Sequence, residues 1–100
     1  MVKQIVWTSN ALQDRLLILD YWFQAIGNKK YSSYLNASFE EVAKNISLFS
    51  EIGRIYKNTQ YRYVVKDKYL LVYKIEKDTI FIMAIFDARR NPKLLSQKLK

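Results

Sequence analysis

The chain has 100 residues, half of them hydrophobic, with a single proline, no cysteine and a formal net charge of +8. This composition excludes a disordered chain and a disulfide framework, and no apolar run approaches the roughly 20 residues that a membrane-spanning helix needs. The first residues lack the pattern of a secretory signal peptide, so we expect one domain over residues 1–100, located in the cytoplasm and away from membranes.

The positive charge is confined to the second half of the chain. Residues 1–53 hold five basic and five acidic side chains, whereas residues 54–100 hold twelve basic and four acidic ones. A neutral half joined to a basic half indicates a scaffold that carries an electropositive surface. A lysine surplus alone serves solubility, but arginine suits planar recognition of phosphate or carboxylate. The arginines of the basic half are Arg54, Arg62, Arg89 and Arg90.

A strand and two helices are predicted in the neutral half. Residues 4–7 (QIVW) are typical of a strand, and residues 8–10 (TSN) are good helix-capping residues. Apolar side chains then recur at helical spacing up to a stop at Gly27. The stripe predicted to enter the core comprises Leu12, Leu16, Leu19, Trp22, Phe23 and Ile26 in the first helix and Tyr31, Leu35, Phe39, Val42, Ile46 and Phe49 in the second. The short connection makes the two helices an antiparallel hairpin.

Three strands are predicted in the basic half, over residues 61–65, 69–75 and 79–86. Short charged segments separate them, so the strands form an antiparallel meander. The opening strand has to join this meander, because it has no other partner. The sequence therefore predicts an α+β fold with the order β-α-α-β-β-β, in which the helical hairpin packs on one face of a four-stranded, mostly antiparallel sheet.

The residue types that the sequence lacks exclude several kinds of catalytic site. Without histidine or cysteine, the commonest general base, the thiolate nucleophiles and most transition-metal sites are excluded. Two glycines are too few for a phosphate-binding loop or a dinucleotide-binding turn. We expect neither a metal nor a small-molecule cofactor, and any chemistry falls to arginine, lysine, tyrosine or a single carboxylate.

The positive signal is a mixture of cations and tyrosines in the basic half. Cations hold phosphates and aromatic faces stack on unpaired bases, which is what binding to RNA or to a single strand requires. The basic residues predicted to contact nucleic acid or another target are Arg54, Lys57, Arg62, Lys66, Lys68, Lys74, Arg89 and Arg90. The interleaved tyrosines 56, 61, 63, 69 and 73 are equally compatible with half-buried packing.

Arginine occupies two notable positions. Alternation along a strand puts Arg62 on the face opposite to Tyr61 and Tyr63, so tyrosines that face the helices would point Arg62 to the free face of the sheet. The last strand runs into residues 87–92 (DARRNP), which places two guanidinium groups at the end of the sheet. The segment leaves open whether they contact a target or pair with Asp87.

Three segments of the chain resemble the RelE/ParE superfamily of toxins. Residues 5–11 (IVWTSNA) are similar to the family's opening strand and capped first helix. Residues 69–75 followed by 79–82 look like its strand with two tyrosines and the strand after it. Residues 87–92 occupy the place of its closing His-Gly-Arg-Arg-Asp-Pro-like segment. The resemblance covers residues 3–95.

This resemblance implies the toxin of a type II toxin–antitoxin system, of the plasmid-stabilisation kind, which a cognate antitoxin neutralises by wrapping across its surface. Members of the superfamily divide into gyrase poisons and ribosome-dependent mRNA endonucleases. Arg62 matches the family's arginine on the second strand, and Arg89 and Arg90 match its terminal arginines. If the chain is a nuclease, the resemblance makes Arg62 and Arg89 its catalytic residues.

Departures from the family pattern decide between these activities. Leu70 stands where many members have arginine, Asp87 stands where many have histidine, and no tyrosine follows Tyr73. The usual acid–base donors are therefore missing, although arginine and lysine alone can stabilise a phosphate transition state. We expect a growth-inhibiting, gyrase-directed toxin. The alternatives are an endoribonuclease that acts on ribosome-bound mRNA, and a non-toxic nucleic-acid-binding module or degenerate toxin.

Overall fold

The computed structural model describes residues 2–99 and confirms the α+β class. Within these residues the elements are β1 (Gln4–Trp7), α1 (Ser9–Ile26), α2 (Lys30–Leu48), β2 (Arg54–Ile55), β3 (Tyr61–Lys66), β4 (Tyr69–Glu76), β5 (Thr79–Asp87) and α3 (Pro92–Lys98). No helix in this described range has the length and apolarity needed to cross a membrane.

The strands form one sheet in the order β1-β5-β4-β3-β2. The predicted antiparallel meander is confirmed for β3, β4 and β5, and β1 joins it by running parallel to β5, while β2 pairs antiparallel with β3. The predicted count of four strands was wrong by one, because β2 adds a fifth strand at the edge. With two residues, β2 is too short to leave an alternating pattern in the sequence. The hairpin turns after β3 and β4 begin at Asp67 and Lys77, whose φ of +55° suits the first position of a tight hairpin turn.

The helical hairpin covers one face of the sheet. Thr8 begins it by accepting a hydrogen bond from the Ala11 amide at 3.2 Å, and Gly27, with φ of +83°, ends α1 in the left-handed conformation that favours glycine. The core beneath this hairpin contains Leu35, Phe39 and Ile46 of α2 against Leu71, Tyr73, Ile80 and Ile82 of β4 and β5.

The predicted direction of the apolar stripe was wrong for part of the hairpin. The side chains of Leu12, Leu16, Ile26 and Phe49, all assigned to the core, are 45%, 67%, 46% and 65% exposed. α1 turns the predicted Leu19 and Trp22 towards the sheet, together with Ala11 and Ile18, which the predicted stripe did not include. Residues 16–19 are four consecutive apolar side chains, so two neighbouring faces of α1 both satisfy the helical period.

A third helix, which the sequence analysis did not predict, covers the other face of the sheet. Asn91 begins α3 by accepting a hydrogen bond from the Lys93 amide at 3.0 Å. Val72, Ala84, Phe86 and Leu95 form the buried centre of this second core, and Tyr61 and Tyr63 pack against it. The tyrosines therefore face α3, and alternation leaves Arg62 on the hairpin side together with Val64, which packs against the first core. The condition under which Arg62 would point to a free face, tyrosines that face the hairpin, is therefore not met.

Candidate functional site

The eight basic residues that were predicted to bind a target lie in two groups. The first group lies where β3 turns into β4 and where β5 ends, because Lys66 pairs with Tyr69 and Tyr69 pairs with Asp87. We name this part of the sheet the hairpin end, and its members are Lys66, Lys68, Arg89 and Arg90. The second group lies farther along the strands and comprises Arg54, Lys57, Arg62 and Lys74.

Arg62 holds the segment between α2 and β2. Its Nη1 donates to the carbonyl oxygen of Gly53 at 2.9 Å and to that of Glu51 at 3.3 Å. The neighbouring Tyr73 hydroxyl accepts from the Gly53 amide at 2.9 Å and donates to the Ser50 carbonyl at 2.7 Å. Burial raises the pKa of this hydroxyl. This loop has no sheet hydrogen bonds of its own, so Arg62 and Tyr73 supply hydrogen-bond partners for its backbone groups.

The remaining cations of the second group also contact their own chain. Lys74 pairs with Glu76 at 2.7 Å, and the hydrogen bond to this carboxylate raises the pKa of Lys74. Lys57 lies 5.3 Å from the centre of the Tyr56 ring. Arg54 is exposed and lines a cleft of about 420 Å³ beside the outer edge of β3. These residues do not converge on one point.

At the hairpin end, Arg89 forms a bidentate ion pair with Asp87. The Arg89 Nε lies 3.0 Å from Oδ1 and its Nη2 lies 2.6 Å from Oδ2 of that carboxylate. The hydrogen bond from Arg89 lowers the pKa of Asp87, so this carboxylate is ionised at neutral pH. Arg90 is exposed and its guanidinium lies 5.7 Å from the centre of the Phe86 ring. The pair that the sequence left open is therefore Arg89 with Asp87.

Lys68 lies over a row of aromatic side chains that the two helices supply. Its Nζ is 4.5 Å from the centre of the Trp22 ring and 5.9 Å from that of Tyr31. We name the aromatic row after its members Tyr21, Trp22, Tyr31 and Tyr34, whose successive ring centres are 5.0, 4.9 and 6.0 Å apart. The Trp22 Nε1 donates to the hydroxyl of the buried Tyr69 at 2.7 Å, which fixes the row to the sheet.

The aromatic row was not predicted from the sequence as a functional feature. Trp22 and Tyr31 were predicted to enter the core, and no role was predicted for Tyr21 or Tyr34. The sequence did contain a signal for the row, because these rings lie on both sides of the Gly27 stop. Residues that flank the connection of a tight helical hairpin come together in space.

A cleft of about 340 Å³ joins the aromatic row to the hairpin end. Its lining comprises Leu17, Ile18, Tyr21, Tyr69, Asp87, Arg89 and Arg90. Burial raises the pKa of Tyr69, so its hydroxyl stays protonated near neutral pH while Asp87 stays ionised. Neither group changes protonation near pH 7, so this cleft does not favour proton transfer.

The two residues that a nuclease would use are not brought together. Arg62 pairs with Tyr73 of β4, and Arg89 follows Asp87, which pairs with Tyr69. Four residues of a strand separate these positions, about 13 Å at the usual rise. Among residues 2–99, no three carboxylate-type side chains lie close enough together to hold a metal ion.

Comparisons with known proteins agree with this architecture. Residues 5–92 match the family model described as "ParE toxin of type II toxin-antitoxin system, parDE". The chain is also similar to a solved structure described as "Chromosomal ParDE TA system from P. aeruginosa", with a TM-score of 0.74 and 18% identity over 86% of this chain and 96% of that chain. None of the curated protein sequences matches this chain. Since the family model spans most of the sequence, the chain belongs to the ParE toxin family of type II toxin–antitoxin systems.

Proposed function

We propose that this toxin inhibits growth by binding its target rather than by cleaving it, that the target is DNA gyrase in the cytoplasm, and that the hairpin end makes the contact. One observation carries the choice of binding over cleavage. Arg62 is held by the Gly53 carbonyl and Arg89 by the Asp87 carboxylate, at separate places on the sheet. Binding needs charge and shape, which the hairpin end offers, whereas cleavage needs groups that converge on one phosphate.

The partner follows from the family. A toxin of a type II toxin–antitoxin system has an antitoxin, and we expect growth inhibition when the chain is induced without it. The finer assignment to gyrase is supported by the resemblance to a superfamily that includes gyrase poisons and by the missing acid–base set, and a supercoiling assay tests it.

Supercoiling by purified gyrase tests the target. We expect the wild-type chain to block supercoiling and to raise the amount of cleaved DNA bound to gyrase. The double variant Lys68→Ala/Arg90→Ala should lose most of this effect, because it removes two cations of the hairpin end. Lys44→Ala is the matched control, since Lys44 is an exposed lysine on the distant half of α2. Unimpaired supercoiling at saturating wild-type protein would rule out gyrase.

A ribosome-dependent endoribonuclease is the second candidate. The observation in its favour is that the hairpin end combines exposed guanidinium groups with aromatic rings, a mixture that also suits RNA. Primer extension on translated messages after induction distinguishes the two activities. If messages are cut at fixed codon positions and the cuts disappear in Arg89→Ala, the chain is an endoribonuclease and the gyrase proposal is wrong. Normal growth on induction, with intact message, would instead identify a degenerate toxin or a plain binding module.

A further inference from the structure

The aromatic row has more exposed ring surface than packing requires. Its inner rings, Trp22 and Tyr31, are half-buried and pack against the first core. Its outer rings, Tyr21 and Tyr34, are 60% and 47% exposed. The hydrogen bond to Tyr69 and the contact with Lys68 account for Trp22, but neither involves the outer rings. Tyr34 stacks on Tyr31 and Tyr21 meets Trp22 edge-on, so the outer rings leave exposed aromatic surface on either side of a fixed centre.

Cations surround these rings. Lys68 lies over Trp22 and Tyr31, and the cleft next to Tyr21 is lined by Arg89 and Arg90. Lys29 and Lys30, both exposed, directly precede Tyr31 in the chain. The nearby acids are Asp67, Asp87 and the exposed Asp20, which directly precedes Tyr21 in the chain, and Asp87 is already paired with Arg89. The row therefore lies in a surface that is positive on balance.

We propose that the aromatic row and the hairpin end together bind an unpaired nucleic-acid strand. Bases stack on the faces of Tyr21 and Tyr34, while the backbone phosphates contact Lys68 and Arg90. Every base has a flat face, so such stacking needs no particular sequence, but a duplex hides these faces within its own stack. Exposed rings between cations are thus matched to a single strand and mismatched to a duplex.

This inference rests on the proposed function, because it names what the hairpin end would hold in a nucleic-acid-loaded target. The two proposals can nevertheless fail separately. Binding to a free oligonucleotide requires no gyrase, and inhibition of gyrase is measured without a free oligonucleotide.

Fluorescence anisotropy with labelled oligothymidine and oligouridine of about 12 nucleotides tests the proposal, with a duplex of equal length as the comparison. We expect saturable binding to a single strand and weaker binding to the duplex. Tyr21→Ala/Tyr34→Ala should weaken binding about a hundredfold, because it removes two stacking rings and each stacked base contributes on the order of tenfold in affinity. Tyr21→Phe/Tyr34→Phe keeps both rings and should bind like the wild type. Phe49→Ala removes an equally exposed ring at the far end of α2 and serves as the aromatic control.

Salt dependence tests the phosphate contacts independently. Lys68→Ala should reduce the slope of log K against log salt by about 0.7 for a single strand, whereas Lys44→Ala should leave the slope unchanged. Circular dichroism checks that each variant is folded. Equal affinity for the duplex, or full affinity in Tyr21→Ala/Tyr34→Ala, would overturn the proposal and make the row a contact for protein. Loss of oligonucleotide binding in that variant with gyrase inhibition retained would uphold the inference and place the gyrase contact elsewhere.

Discussion

Replacement of Arg62 by alanine tests whether this arginine stabilises the fold or acts on a target. In the folded chain, its guanidinium donates to the Gly53 carbonyl at 2.9 Å and, less favourably, to the Glu51 carbonyl at 3.3 Å. The Tyr73 hydroxyl bonds the same segment from the adjacent strand. The alanine variant removes the donor for both carbonyls and leaves the Tyr73 bonds in place.

The expected cost can be estimated from these contacts. A hydrogen bond from a charged donor contributes about 1.5–3 kcal/mol to stability, and the longer contact with Glu51 adds little. We therefore expect the free energy of unfolding to fall by about 2 kcal/mol. For a domain of this size, that loss lowers Tm by roughly 8–16 °C. Arg54→Ala, an exposed arginine on the neighbouring strand, should change stability by less than about 0.5 kcal/mol.

Urea and thermal unfolding followed by circular dichroism measure this difference. The same variants are then tested for growth inhibition at a temperature where each is fully folded. The structural assignment predicts that Arg62→Ala is destabilised but keeps its toxicity under those conditions. If Arg62→Ala unfolds like the wild type and yet loses toxicity, the arginine acts on a target and the reasoning from its carbonyl contacts is refuted.

Three further predictions concern the same contacts and the hairpin end. Tyr73→Phe leaves the Gly53 amide and the Ser50 carbonyl without their partner, so denaturation should show a loss of about 1–3 kcal/mol, and no loss would contradict the assignment. Gly53→Ala would place a Cβ 2.7 Å from the Tyr73 hydroxyl and 2.9 Å from a backbone oxygen, so we expect about 1–3 kcal/mol of destabilisation, and wild-type unfolding would show that the loop can yield. Asp87→Asn removes the pair with Arg89. Because the folded pKa of Asp87 is lowered, the pair stabilises the fold above the ordinary aspartate pKa of about 4 and is lost as the pH falls through the folded value. The stability difference between wild type and Asp87→Asn should thus shrink between neutral pH and pH values below about 4, and a difference independent of pH would exclude the pair as its source.

The sequence predicted the elements well because their signals are local. Period-two and helical patterns located three long strands and both long helices, and Gly27 marked the end of α1. Which side of a helix or strand faces the core depends on the elements that pack against it. A local sequence pattern holds no information about those elements. Residues 16–19 satisfy two helical faces, and only the position of α1 over β5 selects Ile18 and Leu19 for the core.

The face of Arg62 illustrates the same limit at the candidate site. Alternation correctly placed Arg62 on the opposite face of the sheet from Tyr61 and Tyr63. Which of these faces is open to solvent depends on α3, which covers the second face of the sheet. Without that helix, the hairpin is the only layer on which the tyrosines can pack, and on that condition Arg62 would face solvent. The short segment after Pro92 carries little periodicity, so its effect on the sheet could not be predicted from its own residues.

Among the described residues, the ion pairs of the basic half leave several cations free at the hairpin end. Lys74 and Lys98 are paired with Glu76 and Asp14, and Arg62 is covered by carbonyl groups. Within residues 2–99, the cations left without an ion pair include Lys66, Lys68 and Arg90 at the hairpin end and Arg54 and Lys57 beside β2. The hairpin end also has Lys29 and Lys30 close by, so an anionic target should approach it first. Because charges on the surface are screened beyond about 8 Å at physiological salt, this steering should weaken steeply as ionic strength rises.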